Sequence, residues 1–243
     1  MDYYTIRSAQ LDSHLNQVTG EGTSWGWNAS ALYRYGAVSL GVAYHSASIS
    51  ELRGGLIPRN PLSGTTRAVE LDLDLHWHLQ LGVRYELTGA LAIELDWTRT
   101  GWSKFNQIEL KSQATGTTMS TDTNEWKNSN AYRLGLTYDV LPKTQLRFGY
   151  AYDETGQSRD YFNARVPDND RHLFSLGLGQ DLGQGWGLEV SYMYVRFKDR
   201  NDRGSKSYTP GVDLGKEING ADAIDGDYKG NAHLFALEVS KAF

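Results

Sequence analysis

The chain contains no cysteine, which excludes disulfides and thiolate metal sites. It has no excess of positive charge. Lys and Arg number 24 against 29 Asp and Glu, a net charge of −5, so no nucleic-acid partner is expected. Mean hydropathy is −0.52, and no apolar run reaches the length of a membrane-spanning helix. That excludes a helical membrane protein. It does not exclude a β-barrel, whose lumen-facing half is polar and dilutes the average. Met1-Asp2-Tyr3-Tyr4 lacks the basic and then apolar opening of a secretion signal. An exported chain that starts this way is expected to be a mature form or a fragment.

Aromatics and alternation are what the chain has. The 15 Tyr and 7 Trp suit the aromatic girdles of a transmembrane barrel. From Leu71 through Leu73, Leu75, Trp77, Leu79, Leu81, Val83, Tyr85 and Leu87, every odd position is large and apolar. The even positions between them are Asp72, Asp74, His76, His78, Gln80, Gly82, Arg84 and Glu86. A period of two predicts one long strand with one apolar and one wet face. Thr88-Gly89 breaks the run, and Leu91, Ile93, Leu95 and Trp97 resume it, so the two strands are expected to pair antiparallel. If Tyr85 opposes Ile93, Arg84 falls opposite Glu94, within reach of an ion pair.

The same alternation recurs at 25–35, 38–45, 132–139, 146–153, 174–179, 186–194 and 233–243, with a weaker candidate at 2–14. About ten strands are predicted, in one antiparallel meander over residues 1–243. Turns at 36, 88–89, 141–143 and 183–185 are tight, whereas loops near 15–23, 49–68, 105–127, 155–168 and 199–228 are long. Long and short connections alternate, as in outer-membrane barrels with short periplasmic turns and long outer loops. The apolar face is dense in Leu, Tyr and Trp, and the polar face is rich in Gly, Ser and Ala. Lipid outside and a polar, partly filled lumen inside account for both faces. The predicted fold class is therefore an all-β antiparallel transmembrane barrel, in contact with membrane lipid and lipopolysaccharide of a Gram-negative outer membrane. The terminal Phe243 resembles the C-terminal signal of bacterial outer-membrane proteins, which implies the barrel assembly machinery as a partner. Lys241 departs from the residue usual two places earlier.

Four stretches resemble the FadL family of outer-membrane long-chain fatty-acid and hydrocarbon transporters. They are Gly26-Trp27-Asn28, Trp102-Ser103-Lys104-Phe105, Trp126-Lys127 ahead of Ala131-Tyr132-Arg133, and Val166-Pro167-Asp168-Asn169-Asp170-Arg171-His172. The last is the most specific. The resemblance covers the C-terminal part of a fourteen-stranded barrel, without its N-terminal hatch and early strands. It implies a hydrophobic small-molecule ligand such as a fatty acid or hydrocarbon, with no cofactor. Lys127, Arg133, Asp153, Asp170 and Arg171 match charged positions of the family and are the candidate substrate-binding residues. Their other reading is an ion network within the lumen.

Two other functions remain open. An omptin-like outer-membrane protease would use His45, His76, His78 or His172 with Asp72 or Asp74 to activate water. No Ser-His-Asp or metal-ligand spacing supports it, so the chain is expected not to be an enzyme. A structural or adhesin barrel, carried by its loops, is the third reading.

Overall fold

The computed structural model describes residues 2–12, 16–58, 65–158, 168–201 and 227–242. In chain order the strands are β1 (Asp2–Asp12), β2 (Asn16–Gly26), β3 (Asn28–Tyr35), β4 (Val38–His45), β5 (Ser48–Pro58) and β6 (Arg67–Leu75). Next come β7 (His78–Glu86), β8 (Leu91–Thr100), β9 (Gln107–Ser112), β10 (Thr118–Thr123), β11 (Ser129–Leu141) and β12 (Thr144–Asp153). The last are β13 (Arg171–Gly183), β14 (Trp186–Phe197), β15 (Arg200–Asn201), β16 (Asp227–Tyr228) and β17 (Asn231–Lys241). The one helical element among the described residues is a 3-10 turn at Trp102–Lys104.

Two large antiparallel sheets result. A nine-stranded sheet, the wall, runs in the order β17-β14-β13-β12-β11-β8-β7-β4-β3. A six-stranded sheet, the crown, runs β1-β2-β5-β6-β9-β10. β15 and β16 pair separately. In the wall, Tyr85 faces Ile93 and Arg84 faces Glu94, as the hairpin pattern predicts.

The run at 71–87 is not one strand. It breaks at His76-Trp77 into β6, in the crown, and β7, in the wall. The break is shared with its neighbours. The wall continues into the crown across Trp27, Ser46-Ala47, His76-Trp77 and Gly101, and the Ser46 and Gly101 amides bond the Trp27 and Trp77 carbonyls at 2.9 and 2.8 Å. Gly101 is required there, because a Cβ would lie 2.1 Å from Trp77 Nε1. The expected outward facing therefore holds for β7 and fails for β6. Leu81 and Tyr85 are exposed, while Val69 and Leu71 are 2% and 8% exposed and join Leu52 in the crown's core.

The stretches 15–23, 49–68 and 105–127, expected as loops, hold most of crown strands β2, β5, β9 and β10. Gly20 and Gly22 of β2 pair with Gly54 and Leu52 of β5, so the backbone ladder forms with little apolar side chain to signal it. Phe243, Val166 and Pro167 lie outside the described residues.

Register across the wall sorts side chains cleanly. Leu95, Leu134, Tyr150, Phe174 and Tyr194 share one face, as do Leu81, Trp97 and Tyr132. Gly82, Asp96, Arg133 and Ala151 share the other, as do Gly149 and Ser175. Tyr35, Tyr85, Tyr138 and Trp186 stand near the tight turns of the first face. Tyr132, Tyr152 and Tyr194 stand near its opposite end, which gives two aromatic girdles with an aliphatic band between them.

Candidate functional site

The polar face carries its charges in pairs. Arg84 Nη1 lies 3.5 Å from Glu94 Oε2, half exposed. Arg133 Nη1 donates to Thr98 Oγ1 at 2.8 Å and is opposite Asp96 in register. Arg147 reaches across β13 to Glu189 on β14 with a two-pronged contact at 2.7 and 3.1 Å. Its side chain passes over Gly177 and Gly179, where a Cβ would lie 3.4 Å from Arg147 atoms, in van der Waals contact. A recess of about 580 Å³ opens on the same face, lined by Ser30, Leu32, Gly41, Gly82, Asp96 and Arg133 among others.

A second cluster sits where β12, β13 and β14 meet the outer loops. Arg171 donates to Asp153 Oδ2 through Nε at 2.9 Å and Nη2 at 2.6 Å, and lies 3.6 Å from Asp168. Asp170 accepts from Tyr152 Oη at 2.7 Å, from the Thr155 amide at 2.9 Å and from Lys198 Nζ at 3.1 Å. Strand alternation splits the motif, so Asp170 and Arg171 serve different partners. Burial alone would raise the Asp170 carboxyl. The bonds from Tyr152, Thr155 and Lys198 outweigh it and hold that carboxyl below its ordinary value. Thr155 Oγ1 and Gln157 bind Asp168, and Arg200 binds Gln157, Ser158 and the Asp168 carbonyl.

Of the five candidate residues, three therefore meet in one network: Asp153, Asp170 and Arg171. Arg133 lies apart, exposed on the lumen face of β11. Lys127 lies in the loop ahead of β11, its amide bonded to the Gly156 carbonyl and its side chain exposed with no partner among the described residues. Asp168 and Tyr152, Thr155, Lys198 and Arg200 complete the network and were missed as site residues. Asp168 stood within the motif; Lys198 and Arg200 follow a strand end and carry no sequence signal for their partners.

The histidines stand differently from a water-activating pair. His45 stacks on His78 at 4.1 Å, and His76 packs on Trp102 at 4.0 Å. Burial pushes the His76 imidazole, in the break between wall and crown, below its ordinary value. His172, expected to approach the lumen, shares its face with Phe174 and Leu176 and faces outward, because it is an even step from them along β13.

The family model described as outer membrane protein transport protein (OMPP1/FadL/TodX) matches residues 4–243. The chain belongs to that family. Outer membrane protein P1 of Haemophilus influenzae is 25% identical over 225 residues, 90% of this chain and 47% of its own length. The long-chain fatty acid transport protein of Escherichia coli O6:H1 is 24% identical over 249 residues, 96% of this chain and 52% of its own length. The chain spans about half the length of the curated relatives it matches. The crystal structure of a Pseudomonas aeruginosa FadL homologue is similar with a TM-score of 0.70 at 22% identity, over 96% of this chain and 53% of that one. That likeness shows the fold. The wall is thus an outer-membrane β-barrel wall, with its aliphatic band toward lipid and its small polar face toward the lumen.

Proposed function

We propose that this chain forms the wall of an uptake route for hydrophobic small molecules, long-chain fatty acids among them, through the Gram-negative outer membrane. The observation that carries the reading is the lumen face itself. Its charges are mostly paired side to side, and Gly41 and Gly135 leave bare wall between them, while the Asp96 carboxylate and the Ser175 hydroxyl lie close over Gly82 and Gly149. A slender apolar molecule can lie against such a wall without displacing packed side chains. Family membership supports the same class of cargo, since one relative is named a long-chain fatty acid transport protein. We read residues 1–243 as a single barrel-wall domain. We further read it as a non-enzymatic one, supported by imidazoles engaged by other rings at His45, His76 and His78. Lipid, lipopolysaccharide and the barrel assembly machinery are the partners that a membrane wall of this kind requires.

Within this reading the five charged residues divide by role. Lys127, whose side chain has no partner among the described residues, and Arg133, a lumen cation beside the recess, are read as the groups that meet a carboxylate in passage. Asp153, Asp170 and Arg171 hold the outer loops over the wall. A charge-assisted hydrogen bond to a carboxylate contributes roughly 1.5–3 kcal/mol. Lys127→Ala should therefore weaken oleate binding about ten-fold or more. It should leave an uncharged alkane of equal length nearly unchanged. Equal loss of both ligands, or loss of neither, would remove Lys127 from the ligand path. Oleate uptake into liposomes, run beside a peptide-cleavage assay, separates transport from proteolysis.

A further inference from the structure

The lipid-facing side of the wall ends, toward the outer loops, in a repeated motif. Tyr150 Oη and His172 Nδ1 are 2.9 Å apart, and Tyr192 Oη and His233 Nδ1 are 2.8 Å apart. The ring geometry repeats too. His172 lies 6.1 Å from Tyr150 and 5.1 Å from Tyr152, and His233 lies 6.0 Å from Tyr192 and 5.0 Å from Tyr194. Each imidazole is thus clasped by a Tyr-x-Tyr pair on a neighbouring strand of the wall, β12 for His172 and β14 for His233. The clasp uses Nδ1, and Nε2 of both rings has no hydrogen-bond partner among the described residues.

Arg196 stands between the two. It pairs in register with His172 on one side and Asn231 on the other, two residues along β14 from the Tyr194–His233 pair. It is exposed, and its guanidinium has no hydrogen bond or ion pair among the described residues. Three other cations near this rim are engaged: Lys198 with Asp170, Arg99 with Asn130, and Arg171 with Asp153. The position fits the headgroup level. At about 3.3 Å per residue and a tilt near 40°, Arg196 stands roughly 28 Å above the Gly185 turn, past an apolar band about 25 Å tall.

We propose that His172, Arg196 and His233 form a docking site for a phosphorylated glycolipid of the outer leaflet. The inference rests on the outer-membrane placement, not on the transported cargo. A guanidinium matches phosphate oxygens two at a time. Two imidazoles on strands about 10 Å apart flank it. That width suits a sugar headgroup bearing phosphate better than one phosphodiester. Tyr194 stands at the same level to meet a sugar ring, Tyr152 being covered by Lys198 at 4.7 Å, and the Asn231 amide can serve sugar hydroxyls. The aromatic and aliphatic rows below receive the acyl chains.

The test is native mass spectrometry on the purified protein with added lipids of defined headgroup. Diphosphorylated lipid A should be retained roughly ten-fold better than its dephosphorylated form, and should outcompete phosphatidylglycerol. Arg196→Ala should cut retention about ten-fold, while Arg196→Lys restores part of it. Arg99→Ala, on the same rim but already paired, should change it less than two-fold. Oleate uptake should be the same for all three variants; no uptake by the parent protein would count against the transport reading and not this one. Equal retention by Arg196→Ala and the parent protein would overturn the site. So would equal binding of phosphatidylglycerol and lipid A, or of the two forms of lipid A; those comparisons need no variant and hold even if one misfolds.

Discussion

Leu81 and Gln80 are neighbours on β7 and face opposite sides of the wall, so one substitution placed at each measures the membrane directly. Leu81 is 43% exposed in the aliphatic band, with Val42 and Trp97 beside it. Gln80 lies on the polar face with Ala43 and Thr98. Six residues separate Leu81 from the turn at Leu87, which at about 2.5 Å of height per residue sets it roughly 15 Å up, near the middle of the apolar band. An Arg there costs about 2–4 kcal/mol. One decade in the folding equilibrium is about 1.4 kcal/mol, so Leu81→Arg should shift it by roughly thirty- to a thousand-fold. Gln80→Arg adds the same side chain to a wet lumen and should cost well under 1 kcal/mol, as an ordinary exposed substitution does. Urea titration of each variant in phosphatidylcholine vesicles, followed by Trp fluorescence, gives both numbers. If Gln80→Arg costs as much as Leu81→Arg, the facing of the wall is inverted and lipid does not lie where the aliphatic band is.

Two further outcomes concern the outer loops. A Cβ at Gly156 would lie 2.8 Å from the Lys127 carbonyl and 2.9 Å from Trp102 Cβ, so Gly156→Val should force residues 154–158 off Trp102. Limited proteolysis should then cut that loop faster with the wall unchanged by circular dichroism; an unchanged cutting rate would count against the packing. Asp170 has a lowered carboxyl pKa, so its contribution is full above the ordinary value of 3.8 and is lost as pH falls through the lower folded value. Hydrogen exchange of the Thr155 amide should rise only in that acid window, and in Asp170→Asn it should already be fast at neutral pH. A flat pH profile in the parent protein would show that Asp170 does not hold the loop.

The wall was legible because a half-buried strand writes its two faces into alternate residues. β8, β11, β12 and β14 each read directly from the pattern, and the Arg84–Glu94 pair followed from register alone. The crown was not legible. β2 reads Asn-Gln-Val-Thr-Gly-Glu-Gly-Thr-Ser-Trp-Gly, whose pairing depends on backbone groups that every sequence has. The break at His76-Trp77 left no mark either, since alternation continues through it and the cause lies on neighbouring strands at Trp27, Ser46 and Gly101. At the site, the motif Asp168-Asn169-Asp170-Arg171 announced charge but not partners. Which carboxylate meets which cation depends on Lys198 and Arg200, brought there by a different strand. Gly177 and Gly179 read as generic small residues, and nothing in their sequence says that Arg147 lies over them.

Strand direction in the wall sets a parity rule. β3, β7, β11, β13 and β17 run from the crown end toward the tight turns, and β4, β8, β12 and β14 run back. The two edge strands, β3 and β17, therefore point the same way. Brought together they would pair in parallel, and a ring that is antiparallel throughout holds as many ascending strands as descending ones. A second copy of the nine-stranded sheet repeats the problem at both seams, since its edges point the same way as well. Whatever completes the ring between β3 and β17 must supply an odd number of strands, the first and last of them ascending. Dimerisation of the described nine-stranded sheet is thereby excluded as a route to an all-antiparallel pore, and any segment that closes it must carry the opposite imbalance of direction.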